Sequence, residues 1–327
     1  MRSRAALAAL LLTAALVAGA ERAHASFPGA NGLLALATGD LWLAGADGAS
    51  MRALTRNPVA ERSVAWSPDG TQLAFERGGW LYSLDLETRA TRRLTRGFEP
   101  SWSPDGGRLV FRASGGLYVA RGDGAGRRRV RAGTARRPRW APDGSLVAFF
   151  EDGRTLVMRG DGLSGRALPD ASCGGAQTAL TWSPDSSRLA VLTDRCLALV
   201  HVLNGAVEEL PERSGDAVTW SPDGRRLLLA ADGRLLLLAL DGGVVRQLAG
   251  RPGVADLDWQ ARCTVSGTPQ SERMPGTEGD DFLCAGGGDD AIVGFGGRDR
   301  LFAGGGNDYT EARDGLVDVV GCGPGSD

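Results

Sequence analysis

Four aspartates stand nine residues apart near the end of this 327-residue chain: Asp281, Asp290, Asp299 and Asp308. Two places before each lies a glycine, Gly279, Gly288, Gly297 or Gly306, and two places after lies Leu283, Ile292, Leu301 or Thr310. Carboxylates at one fixed position of a glycine-rich turn suit a hard divalent cation. Calcium takes about six to eight oxygen ligands, and a glycine backbone free to adopt positive φ can turn its carbonyls toward an ion. From Gly267 onward twelve acidic residues face four arginines, so the segment is strongly acidic while the whole chain is nearly neutral, at −2.

Four consecutive units of nine are in register: Gly276–Cys284, Ala285–Val293, Gly294–Phe302 and Ala303–Glu311. A fifth, Ala312–Val320, carries Asp318 one place late, and Ala285 and Ala303 stand where a first glycine is expected. The pattern resembles the G-G-x-G-x-D-x-U-x repeat of RTX (hemolysin-type) calcium-binding proteins, which wind into a parallel β-roll. That resemblance implies a turn and a short strand per unit, same-side turns stacked two units apart, and an inward eighth residue. It implies that Asp281 shares an ion with Asp299 and Asp290 with Asp308, about two calcium ions in all, with Gly279, Gly288, Gly297 and Gly306 shaping the turns. Without calcium the acidic turns repel one another, so the roll is expected to order only when the ion binds.

Ahead of this segment the chain repeats on a longer period. Trp66-Ser67-Pro68-Asp69-Gly70 returns from Trp102, from Trp140 with Ala141, from Trp182 with Ser186 in place of glycine, and from Trp220. A last Trp259 lacks the turn, and the intervals are 36, 38, 42, 38 and 39 residues. Proline presets the first turn angle and Asp-Gly completes the turn, so each string joins two strands. An apolar strand follows, such as Leu73-Ala74-Phe75 or Leu109-Val110-Phe111, then a third and a fourth strand. Four short strands per repeat make a propeller blade. Five blades are complete; the sixth is composite, pairing the strands near Leu33, Leu41 and Met51 with Val254–Trp259, which closes the ring. The units resemble those of TolB-like six-bladed propellers from about Ser26 to Arg262, and such propellers serve as binding platforms, regulatory domains and occasionally enzymes. The fold class is therefore all-β: a six-bladed β-propeller over 26–265, a linker over 266–275, and a short C-terminal parallel β-roll over 276–327.

The first residues read differently. A basic head, Met1-Arg2-Ser3-Arg4, precedes an uncharged apolar run from Ala5 to Ala20 and then Ala23-His24-Ala25. This is the layout of a signal peptide, 1–25, with cleavage before Ser26 or at the earlier Ala18-Gly19-Ala20. Export permits disulfides. Cys173 and Cys196 lie in one local unit and form the expected pair; Cys263, Cys284 and Cys322 leave one over unless it pairs between chains.

Balanced charge, 37 basic against 39 acidic residues, gives no hint of nucleic acid, and every basic residue is arginine. Two histidines and no C-x-x-C spacing argue against a zinc centre. No G-x-S-x-G elbow occurs. His201, in the strand-like Leu199–Val202, reads as a packed residue. Arg127, Arg128, Arg129, Arg131, Arg136, Arg137 and Arg139 read mainly as a solvated outer strand and loop. Aligning blades on tryptophan places Arg62, Glu99, Arg136, Arg137, Asp216 and Asp256 just before the inner strands, where they would rim one mouth of the central channel. The expected function is an exported calcium-binding protein, secreted or cell-wall associated. Its propeller is a non-catalytic platform for a protein or an envelope polymer, with no nucleic acid and no membrane span after cleavage. The alternative is a polysaccharide lyase or hydrolase acting in the funnel, with Asp216 and Asp256 as paired carboxylates.

Overall fold

The structure, a computed structural model, describes residues 30–210, 213–248, 253–316 and 318–322. The signal peptide expected over 1–25 lies outside the described residues. Every regular element among the described residues is a β-strand, and the strands form six four-stranded antiparallel blades and two parallel sheets.

Each blade begins with an inner strand that ends on tryptophan: Glu61–Trp66, Phe98–Trp102, Arg136–Trp140, Gln177–Trp182 and Ala217–Trp220 in blades one to five. The turn after it follows one plan. In blade one Gly70 N–H donates to Ser67 O at 2.9 Å, and Gly70 takes φ +73°. The Ser67 hydroxyl accepts Gln72 N–H at 2.8 Å, and Asp69 accepts Thr71 N–H at 3.0 Å. The same serine bond recurs at Ser103, Ser183 and Ser221. Blade four places Ser186 at φ +58° where the others have glycine, a conformation disfavoured for a side chain with Cβ.

The second strand of each blade is a short apolar run buried on both faces. Leu73, Phe75, Leu109, Phe111, Val147 and Phe149 are all fully buried. Alternating side chains enter the gaps on either side, so six apolar clusters form, one between each pair of neighbouring blades. The sixth blade is composite as expected. Asp256–Arg262 supplies its inner strand and pairs antiparallel with Ala30–Ala37, which pairs in turn with Leu41–Ala44 and then Arg52–Ala53. Its inner strand also touches Glu61–Trp66 of blade one, which completes the ring.

The chain passes almost directly from the ring into the roll. One parallel sheet holds Val265–Ser266, Phe282–Cys284, Arg300–Phe302 and Val319–Gly321; the other holds Arg273–Pro275, Ala291–Val293 and Tyr309–Glu311. This corrects the linker expected over 266–275. Ser266 pairs with Cys284, and Arg273–Pro275 pairs with Ala291–Val293, so the stretch is the first coil of the roll. Its position-six residue is Glu272 and its inward residue is Met274, nine places before Asp281 and Leu283. Met274, Leu283, Ile292 and Leu301 fill the core of the roll. Cys173 is bonded to Cys196 as expected, and Cys263 to Cys284, which ties the end of the ring to the second coil.

Replacing Ser103 by alanine removes the acceptor for Arg108 N–H inside a buried turn. The expected cost is about 1–3 kcal/mol, read as a lower denaturant midpoint with an unchanged m-value. An unchanged midpoint would show that Ala141, which already lacks this hydroxyl in blade three, sets the general case.

Candidate metal centre and the channel mouths

The parallel winding puts residues eighteen apart on top of one another. Asp281 N–H donates to Asp299 Oδ1 at 2.9 Å, and Asp290 N–H donates to Asp308 Oδ1 at 2.8 Å. These are the two pairs the nonapeptide pattern brings together. Each column also extends by one member. Glu272 N–H donates to Asp290 Oδ1, and Asp299 N–H donates to Asp318 Oδ1, both at 2.8 Å. A one-residue insertion in the last unit keeps Asp318 in line, and Asp314 reaches the same edge, accepting Gly297 N–H at 2.8 Å. Asp318 was legible only as a misplaced residue, because its register follows from the stacked backbone and not from the count of nine.

One carboxylate oxygen of Asp290, Asp299, Asp308 and Asp318 thus accepts a backbone N–H from the preceding coil. The other oxygen decides whether an ion fits. Asp290 Oδ2 and Asp299 Oδ2 are buried and accept no hydrogen bond. A buried carboxylate oxygen without a donor is unfavourable unless a cation meets it. Burial, with Asp318, Asp281 and Asp314 nearby, pushes the Asp299 carboxyl up to about 7, and burial, with Asp314 and Asp280 nearby, raises Asp318. In the first coil of the family pattern the arrangement differs: Thr277 donates to Asp281 Oδ2 from its N–H at 2.5 Å and its hydroxyl at 3.0 Å. Among the described residues no three acidic, histidine or cysteine side chains converge on one point. The donor set is therefore paired carboxylates supplemented by turn carbonyls, which suits a hard, oxygen-seeking ion. Calcium in these turns would neutralise stacked carboxylates, and the chain's own part is to hold them aligned.

The turn glycines are not equivalent. Gly288, Gly297 and Gly306 have φ of +94°, +116° and +144°, and a Cβ on any of them would sit 2.0–2.5 Å from the backbone of the neighbouring coil. Gly279 has no left-handed φ, and a Cβ there would meet only Thr277 Oγ1 at 3.8 Å. Three of the four predicted glycines are thus needed by the close stacking of coils.

The roll caps the turn end of the propeller channel. Arg300, adjacent to Asp299, is 4% exposed and lies over the rings of Phe282 and Phe302 at 4.5 and 5.3 Å. It lines a cavity of about 140 Å³ together with Trp66, Trp102, Trp140, Trp259 and Asp258. Burial pulls the Arg300 guanidinium down to about 9. Asp258 accepts N–H bonds from Trp66 at 2.7 Å and Trp259 at 2.9 Å, yet burial pushes its carboxyl up to about 6.

The residues expected to rim the opposite mouth are only partly gathered there. Arg62, Glu99, Arg136, Arg137 and Asp256 lie within inner strands and not before them; Asp216 alone precedes its strand. Asp256 is buried and paired with Arg139 at 3.0 Å. Arg136, Arg137 and Asp216 share an open cavity of about 550 Å³ with Gln177, Thr178 and the backbone of 253–255. Glu99 accepts Arg112 Nε–H at 3.0 Å and Arg137 N–H at 2.7 Å. Ser63, Glu99 and Arg137, each three places before tryptophan, take left-handed φ of 48°, 55° and 51°, at a register shift in each strand. The arginine-rich stretch is likewise divided: Arg128–Ala132 is an outer strand, as expected, but Arg136, Arg137 and Arg139 belong to an inner one. His201 ends the third strand of blade four.

Residues 275–309 match the family of RTX calcium-binding nonapeptide repeats in four copies. No curated protein matches the chain. Among solved structures the chain is similar to one in a nidogen/laminin complex, with 15% identity, a TM-score of 0.62, and coverage of 72% of this chain and 100% of that one. It is also similar to TolB from Acinetobacter baumannii, with 21% identity, a TM-score of 0.58, and coverage of 72% and 67%. The repeats mark a calcium-binding segment, and the structures share the propeller fold.

Two outcomes follow. Gly297→Ala abolishes calcium-dependent ordering of the roll, whereas Gly279→Ala retains it, read by calorimetric calcium titration of each variant; equal behaviour would contradict the stacking geometry. The Asp258 carboxyl is raised in the folded state from 3.8, so its stability contribution is fully present only below that value and is lost as pH rises through about 6. With calcium saturating, unfolding stability should fall by on the order of 1–3 kcal/mol between pH 4 and 8, and Asp258→Asn should flatten that slope.

Proposed function

We propose that this chain is an exported, calcium-stabilised binding protein whose roll closes one end of a non-catalytic propeller and leaves the other end to meet a partner. The observation that carries the reading is the pair of buried, donorless oxygens on Asp290 and Asp299. They lie in a roll whose Arg300 is seated in the tryptophan-lined end of the channel. About two calcium ions are held, one in each carboxylate column. The signal-like first 25 residues, the two disulfides and the RTX repeats support export, to the exterior or the cell wall, where calcium is plentiful. The partner, a protein or an envelope polymer, is assigned to the open mouth.

A paired-carboxylate reaction in the funnel finds no support in the geometry. Asp256 is held by Arg139, and Asp216 stands apart from it in the open cavity.

The test is differential unfolding of the full chain with calcium and with a chelator, followed by tryptophan emission and circular dichroism. Calcium is expected to raise the melting temperature of the propeller as well as the roll, and chelation to shift tryptophan emission to the red as the capped end opens. Asp290→Ala with Asp299→Ala should remove both responses. A melting temperature and emission indifferent to calcium would overturn the reading.

A further inference from the structure

The two ends of the channel differ in kind. At the turn end, Arg300 of the roll and the tryptophan ring leave little room. At the strand-start end, the cavity of about 550 Å³ is open and its charged lining is uncommitted. Arg136 Nη1–H donates to Gln177 O at 3.1 Å, and its guanidinium lies over Phe150 at 5.1 Å, which fixes the fork without neutralising it. Arg137 is held from its backbone: its N–H donates to Glu99 Oε2 at 2.7 Å, and its φ of 51° is one an ordinary residue adopts only when its surroundings impose it. Among the described residues neither guanidinium forms a salt bridge. The nearest carboxylate on the adjoining blade, Glu99, is occupied by Arg112 at 3.0 Å. Asp216 faces the same cavity and is also without an ion pair among the described residues.

Burial, and then the neighbouring Arg137 guanidinium, pull the Arg136 guanidinium below its ordinary value. Two other part-buried arginines have a carboxylate at hand, Arg77 with Glu61 and Arg131 with Glu151. At the mouth Glu99 attracts Arg136 but is shared with Arg112, so further relief has to come from outside. Guanidinium forks match the planar or tetrahedral oxygens of carboxylate and phosphate, two bonds at a time.

The geometry points to the open mouth as an oxyanion site: Arg136 and Arg137 bind the carboxylate or phosphate group of a ligand, and Asp216 limits how much negative charge that ligand carries. This deepens the reading of the propeller as a binding platform and rests on it. The calcium response tests the cap, and the anion titration below tests the mouth, so each can fail alone.

The experiment is a ligand-observed NMR titration of the calcium-loaded full chain with two probes, succinate for the carboxylate source and methyl phosphate for the phosphoryl source. Saturable, salt-sensitive binding of at least one probe is expected, and the tighter of the two identifies the source. Arg137→Gln should weaken that probe by about tenfold or more, and Asp216→Asn should tighten it. Arg127→Gln, on the outer strand side, should leave it unchanged. Melting curves of all three variants matching the parent would show that the fold is intact. Should Arg137→Gln fail to fold, Asp216→Asn alone decides, because only a site facing Asp216 tightens when that charge is removed. No saturable binding of either probe, or binding indifferent to these substitutions, would overturn the assignment.

Discussion

Everything in this molecule hangs on the pairing of Ala30–Ala37 with Asp256–Arg262. Without it the first three strands of the chain would present one open edge and the last inner strand another. With it the six apolar clusters become equivalent gaps around a ring, and no blade has a face left in water. The closing strands also carry residues that line the channel. Trp259 Nε1–H donates to Gly32 O at 3.2 Å across the seam, and Asp258 receives the N–H of Trp66 from blade one. The same inner strand runs into the roll, so closure of the ring fixes where the calcium-binding coils begin.

The roll in turn depends on alignment more than on attraction. Its carboxylates are stacked by backbone bonds that would form regardless of their charge, and the charge is what makes the stack incomplete. A strand in the propeller gains from each neighbour it meets, whereas a coil in the roll gains apolar contact through Met274, Leu283, Ile292 and Leu301 and loses by bringing acids together. The ion reconciles the two. Because Arg300 follows Asp299 directly, the short strand that seats the roll in the channel begins next to a calcium-site carboxylate.

The repeat number, the composite blade and the paired aspartates were readable from sequence because each is written several times. Five tryptophan turns with one internal grammar leave little freedom, and a nine-residue period fixes which acids stack. What escaped was written once. Glu272 and Met274 keep the period but not the letters, so the first coil read as a linker. Cys263 and Cys284 are close only because a parallel coil brings them together. Arg300 looks like any charged residue until its strand is placed beneath the ring. The split between Asp256, buried against Arg139, and Asp216, which lines the open cavity, depends on side-chain directions that an alignment on tryptophan does not contain.

The two sheets of the roll finish differently. One ends on Val319–Gly321, where a Cβ on Gly321 would sit 3.0 Å from Asp105 O of the propeller; the other ends on Tyr309–Glu311, with Tyr309 58% exposed. The first edge lies against the propeller, while the second carries an exposed tyrosine. A stack of identical coils is, in geometry, a filament waiting for its next unit. Here the unit that follows carries Arg313 and Asp314 on an exposed bend and shifts register by one residue. A second roll arriving end-on would meet charge and a broken period in place of a matching coil. The irregular repeat after Glu311 therefore breaks the nine-residue period on an exposed, charged bend.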